Sequence, residues 1–298
     1  MVRIGAFFTV LVLVSSSIAS ANYSIKTYTD VKAHLEALAK KYPATTTLLK
    51  LGISDSGQMI EAIKVGNGPM HTLVVSTHHG NEYGATEVGN AFAESVAREP
   101  IVGQTVFVIP VLNIGGYNVK DRREPALGTT WDPNRDYPGP CGTEGPFKLK
   151  STAMLAKFIA DNHIVASATL HTFSPAVVYP WGISTQDTGT PYDTIFKNLA
   201  DAATVESKYA TGNDTLLIYP ADGAFEDYAY WKHGTWSLLF ELGSTHTPSD
   251  AEVEQLIAVN VPGLRRFLQQ SPTQPAEKHD FTGKCDTSLA GLGFLRQE

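Results

Sequence analysis

Residues 71–113 read HTLVVSTHHGNEYGATEVGNAFAESVAREPIVGQTVFVIPVLN, and the order of patterns inside them decides the fold. HTLVVST and TVFVIPVLN are short, nearly continuous apolar runs, as expected of strands buried on both faces. Between them, GATEVGNAFAESVAREP has the 3.6-residue apolar spacing of a helix. Strand, helix, strand is a crossover unit, which joins parallel neighbours in a sheet covered by helices.

The pattern continues on both sides. Upstream, TDVKAHLEALAKKYP places Val31, Leu35 and Leu38 on one helical face, with Thr29 and Asp30 as cap candidates and Pro43 as the stop. TTTLLKLGIS and MIEAIKVG, separated by DSGQ, read as a hairpin at a sheet edge. Downstream, STAMLAKFIADN reads as helix, IVASATLHT as strand, TPYDTIFKNLADAATV as helix, WSLLFELG as strand, and SDAEVEQLIAVNVPGLRRFLQQ as a long closing helix. The alternation predicts a single α/β domain: a mostly parallel, mixed and twisted sheet with helices on both faces, and ligands at the carboxyl ends of its strands. Two stretches carry no regular pattern, residues 115–146 and the tail after Gln270. The first is long and dense in Arg, Asn and Asp, which marks it as functional.

Among 298 residues, 43% are hydrophobic and 18% charged, enough apolar material for one large catalytic domain. A net charge of −7 without a Lys/Arg cluster longer than a pair argues against nucleic acid or anionic membrane as the main partner. Residues 1–21 have a positive start at Arg3, an apolar stretch from Ile4 to Val14 and a small-x-small end at Ala19-Ser20-Ala21. That is the form of a secretory signal peptide, and it is shorter than the about twenty apolar residues of a membrane anchor. The mature chain is expected to begin at Asn22, to be secreted or periplasmic, and to be monomeric without a membrane anchor. The catalytic domain is expected over residues 22–270, with no folded pro-segment ahead of it. The only two cysteines, Cys141 and Cys285, are expected to pair and tie the tail, residues 271–298, to the body. Asn22-Tyr23-Ser24 and Asn213-Asp214-Thr215 match the glycan acceptor pattern.

Candidate chemistry gathers at strand ends. After HTLVVST stand His78 and His79, four and three residues before Glu82. Either spacing could aim an imidazole and a carboxylate at one ion, and spacing alone favours neither. His171 ends a second apolar strand, so that two histidines and one glutamate with an open position form a catalytic zinc pattern. Glu241 ends a third, where a carboxylate is costly unless it has a partner or a catalytic task. Asn134 and Arg135, in DPNRD, pair an amide with a guanidinium suited to gripping a carboxylate.

Taken in order, HHGNE, NR, LHTFSPAVVYPWG, IYPADGAFEDYAYW and LLFELG closely resemble the zinc metallocarboxypeptidases related to pancreatic carboxypeptidase A, over about residues 23–269. The resemblance selects His79 over His78 and implies one Zn2+ per chain held by His79, Glu82 and His171. It implies Glu241 as the general base that acts on a zinc-activated water. Asn134, Arg135 and the mobile Tyr219 would hold the terminal carboxylate of a peptide or protein substrate. The family's oxyanion arginine precedes the Asn-Arg pair; KDRREP offers Arg122 and Arg123, and we assign Arg123. Gly182 and Glu226 fall where the pocket for the last side chain is shaped, and a carboxylate at Glu226 would favour a basic terminal residue. HGNE departs from the pancreatic wording, which has an arginine where this chain has Asn81. Relatives with that wording include enzymes acting on bacterial cell-wall peptides, an alternative substrate class. A secreted binding protein on the same scaffold is the alternative from another class; it would lack the base or a ligand, and here all four residues are present.

Overall fold

The computed structural model describes residues 27–142, 146–184 and 189–285. The expected signal peptide, the acceptor pattern at Asn22 and the end of the tail lie outside the described residues.

Helix α1 (Tyr28–Lys41) starts at a reciprocal cap. The Thr27 hydroxyl accepts from the Asp30 amide, while the Asp30 carboxylate accepts from the Thr27 amide. The helix buries Val31, Leu35 and Leu38 on one face. Strands β1 (Thr46–Ile53) and β2 (Met59–Val65) form the expected antiparallel hairpin, with β1 at the edge of the sheet. The crossover unit follows as β3 (Met70–Ser76), α2 (Tyr83–Arg98) and β4 (Gln104–Ile109), with β3 and β4 parallel. Successive β3 side chains point to opposite faces. Val74 packs with Val88 and Phe92 of α2, whereas Leu73 and Val75 join the cluster on the other face.

The chain continues through α3 (Ile114–Val119), a ribbon of β5 (Glu124–Ala126) and β6 (Thr129–Trp131), α4 (Lys150–Asp161), β7 (Ala166–His171) and β8 (Ala176–Tyr179). It ends with α5 (Asp193–Ala203), β9 (Ala210–Asn213), α6 (Asp214–Leu217), α7 (Phe225–His233), β10 (Trp236–Glu241) and α8 (Asp250–Gln270). The eight-stranded sheet runs β1-β2-β4-β3-β7-β10-β8-β9. Its centre, β4-β3-β7-β10, is parallel, and the antiparallel joins are β1 to β2, β2 to β4 and β8 to β10. Phe196 and Leu199 of α5 and Leu264 and Phe267 of α8 share one core with α2. Leu155 and Ile159 of α4 and Phe225 and Ala229 of α7 form the core of the opposite face. Both faces of the sheet are thus covered, as the apolar runs require.

After β3 the chain crosses to β4 on one side, while β7 lies on the other. This divergence opens a crevice at the carboxyl ends of β3, β7 and β10. Residues 115–142 fold over that end and contain the β5-β6 ribbon and a 3-10 turn, Pro133–Arg135. Cys141 and Cys285 are joined, with S–S 2.04 Å and Cα–Cα 5.3 Å. The tail they hold runs across the body: Ala276 is buried, and Phe281 and His279 set their rings against Trp181. Among the described residues no helix is long and apolar enough to cross a membrane. Asn213, in the second match to the glycan acceptor pattern, is buried, only 5% exposed.

Candidate active site

The site starts from a turn at the end of β3. Thr77 has φ 62°, a conformation costly for a β-branched residue, and its hydroxyl is tied to Thr86 Oγ1 (2.6 Å) and the Pro110 carbonyl (3.1 Å). The turn separates the two histidines. His78 is fully buried, with its Nε2 3.1 Å from the Tyr137 hydroxyl and its ring stacked on His171. His79 points into the crevice. A side chain at the next residue, Gly80, would put its Cβ 2.1 Å from the Gly116 carbonyl carbon, so only glycine lets α3 approach this closely.

His79, Glu82 and His171 converge there, each buried. His79 Nδ1 is 2.7 Å from Glu82 Oε1, His171 Nδ1 is 3.0 Å from Glu82 Oε2, and the two Nδ1 atoms are 3.2 Å apart. His79 Nε2 donates to Asp132 Oδ1 (3.0 Å), since a carboxylate only accepts, and this leaves the lone pair on Nδ1 facing inward. The donor set and its spacing fit a dication. Zinc bonds of about 2.1 Å at tetrahedral angles separate ligand atoms by roughly 3.4 Å. A cation also relieves two ring nitrogens that would otherwise meet with a single proton between them.

A cavity of about 490 Å3 opens beside the three side chains, lined by Arg122, Asn134, Arg135, Asp214, Tyr219 and Glu241 among others. Glu241 pairs in register with His171 across the β10-β7 ladder, and its Oε2 has no partner among the described residues. Burial, with the carboxylates of Glu82, Asp214 and Glu226, holds the Glu241 carboxyl well above the usual range, against the pull of Arg122. Arg135 donates to the Tyr219 hydroxyl (3.0 Å) and to the Asn134 carbonyl (2.5 Å). The Tyr219 ring also lies against the guanidinium, 5.6 Å from ring centre to Cζ.

Two expectations are corrected. Arg123 is exposed, and the arginine in the cavity is Arg122, whose Nε donates to Asp132 Oδ2 at 3.0 Å and whose NH1 lies 3.8 Å from Glu82 Oε1. The chain bends at Arg122 and Arg123 before entering β5, and across that bend Arg122 and the buried Glu124 lie inward while Arg123 is exposed. Glu226 is buried but does not line the cavity. Its carboxylate accepts from Thr169 Oγ1 and from Asn134 Nδ2 (3.4 Å), behind the wall. Asn134 is correspondingly fixed, because its Oδ1 accepts from the Phe225 amide at 2.9 Å.

The family model described as zinc carboxypeptidase matches residues 31–261. The chain belongs to this family. Carboxypeptidase B of Astacus astacus is 26% identical over 262 residues, covering 73% of this chain and 86% of that protein. Carboxypeptidase B of Homo sapiens is 26% identical over 280 residues, and the match spans 77% of this chain and 66% of the human protein. Bovine thrombin-activatable fibrinolysis inhibitor, solved with tick carboxypeptidase inhibitor, has a TM-score of 0.76 at 17% identity, covering 83% of this chain and 97% of that one. The protein is therefore a metallocarboxypeptidase of zinc-dependent kind, and its described residues hold a His-Glu-His cluster able to take the metal.

Within this zinc carboxypeptidase, two residues escaped the sequence reading. Asp132 joins His79 to Arg122, and burial notwithstanding, His79 and the arginines hold its carboxyl well below the ordinary range. Its place two residues before Asn134 was visible, but not its reach across to β3. Asp214 lines the cavity, hidden in the sequence inside a glycan acceptor pattern.

Proposed function

We propose that this metallocarboxypeptidase is a secreted exopeptidase that removes the C-terminal residue of peptides or proteins, with His79, Glu82 and His171 as its zinc ligands. The observation that carries the reading is the Arg135-Tyr219 pair, 3.0 Å from nitrogen to hydroxyl, in the same cavity as the three ligands and Glu241. A planar guanidinium with a phenol beside it is the donor set for a free chain end. The apolar start of the sequence and the Cys141–Cys285 disulfide support export to an oxidising compartment. Every residue the reaction requires comes from one chain, which supports action as a monomer.

The chemistry zinc supplies when bound is Lewis acidity: a polarised carbonyl, and a water whose pKa falls toward neutrality. Arg135, with the remaining N–H of Asn134, binds the terminal carboxylate and sets the scissile bond one residue inward. Tyr219 lies over that carboxylate and excludes water. Glu241, which lines the cavity, takes the proton of the attacking water and returns it to the leaving amine. Arg122, held by Asp132, donates to the oxygen on which negative charge develops. The reading is tested by offering one blocked peptide as free acid and as C-terminal amide. Loss of the last residue from the acid alone is expected; equal cleavage of both, or internal cleavage, would contradict an exopeptidase anchored by Arg135.

A further inference from the structure

Three carboxylates cluster under the wall of the cavity, and they are not equivalent. Glu226 accepts from Thr169 and Asn134, and both oxygens of Asp227 accept from the Gly182 amide at 3.1 Å. Their acceptor capacity goes to the wall itself. Asp214 differs: it lines the cavity, it is only 8% exposed, and among the described residues its carboxylate makes no hydrogen bond and no ion pair. Leu217, Ile218, Leu239 and Ala224 line the same space, so the carboxylate stands among apolar neighbours. Gly182 makes room for it; a Cβ there would lie 2.5 Å from Asp214 Oδ2. A buried, unpartnered carboxylate in an apolar pocket is costly until something supplies its counter-charge.

The proposed function fixes where that counter-charge comes from. With the terminal carboxylate on Arg135 and Tyr219, the last side chain of the substrate branches from the adjoining carbon into the same cavity. We infer that Asp214, and not Glu226, selects a basic C-terminal residue, receiving the ammonium of lysine or the guanidinium of arginine. The inference rests on the exopeptidase reading. It assigns the subsite to a residue on α6. Burial, reinforced by Glu226 and opposed by Arg135, pushes the Asp214 carboxyl up to about 7, as a carboxylate still lacking its cation would show.

The test is kcat/KM on matched blocked dipeptides ending in Lys, Arg and Leu, with the zinc-loaded chain and its D214N and E226Q variants. The unaltered chain should prefer Lys and Arg to Leu. In D214N the Lys-to-Leu ratio should fall about 100-fold, mostly through KM for the Lys substrate, as expected on losing a charge-assisted contact. In E226Q, where the change acts through Asn134, both substrates should slow together and the ratio should hold. Release of Leu without preference for Lys overturns the inference and leaves the exopeptidase reading intact. A ratio that collapses in E226Q and not in D214N returns the role to Glu226. Release of neither residue overturns both.

Discussion

His78 and His79 are neighbours in sequence and separate in chemistry. His78 sits against Tyr137, Phe225 and His171, and burial first, with His171 and His79 adding to it, keeps the imidazole neutral well below its ordinary range. His79→Ala should remove the metal and the activity together, while His78→Ala should leave metal content unchanged, as elemental analysis of both proteins would tell. Replacing Arg122 by Ala should lower kcat about 100- to 1000-fold, the usual cost of one oxyanion donor, and the same change at Arg123 should alter it less than about threefold. Glu241→Gln should keep the zinc and lower kcat by about 100- to 10,000-fold. Asp214 also sets a pH dependence. As pH falls through about 7 its carboxyl gains a proton and loses its charge, so the Lys-to-Leu ratio should decline between about pH 8 and about pH 5. The ratio cancels the titration of groups serving both substrates; Glu226, Asp227, Arg135 and Glu241 are the charged groups coupled to Asp214. His79, Glu82, His171 and Glu241 were legible as candidates because each ends or follows an apolar strand, while the choice of His79 over His78 came only from the resemblance. The sequence offers Arg122 and Arg123 alike, because nothing in KDRREP marks the bend that turns one guanidinium inward and the other to solvent. Glu226 was misread because a carboxylate's partners depend on which side of a wall it meets.

At the level of elements, most helices followed from periodicity, since α1, α4, α5 and α8 each bury a regular face, whereas α2 is buried all round from Gly84 to Ala93. The outer part of the sheet did not. Strand β9 is Ala-Thr-Gly-Asn, in which only Thr211 favours a strand, and pairing to β8 makes it one. The β5-β6 ribbon was hidden for the same reason: three residues a side leave no period to read. The disulfide was legible from cysteine count, but its position was not. The Cys141 amide donates to Asp222, which also accepts from the Gly223 amide at 3.0 Å, so the bridge backs the loop that carries Tyr219. Replacing both cysteines by serine should cost about 2–4 kcal/mol in denaturant unfolding. It should also raise KM more than it lowers kcat, because the loop and not the metal ligands is loosened.

Across the whole molecule, the arrangement of the sheet does the positioning. β3 delivers His79 and Glu82, β7 delivers His171 and β10 delivers Glu241, all to one edge of the sheet where the chain diverges to β4. Residues 115–142 close over those strand ends with Arg122, Asp132, Asn134 and Arg135, which gives so long a stretch without periodicity its place in the fold. The carboxyl ends of β3, β7 and β10 are expected to perform metal-dependent removal of a C-terminal residue. Stripping the protein with a chelator and following release of the last residue from a blocked dipeptide, before and after zinc is returned, measures this. The stripped protein should be inactive, and activity should return in proportion to zinc up to one ion per chain. Full activity in the stripped protein, or none after one zinc has bound, would contradict the account.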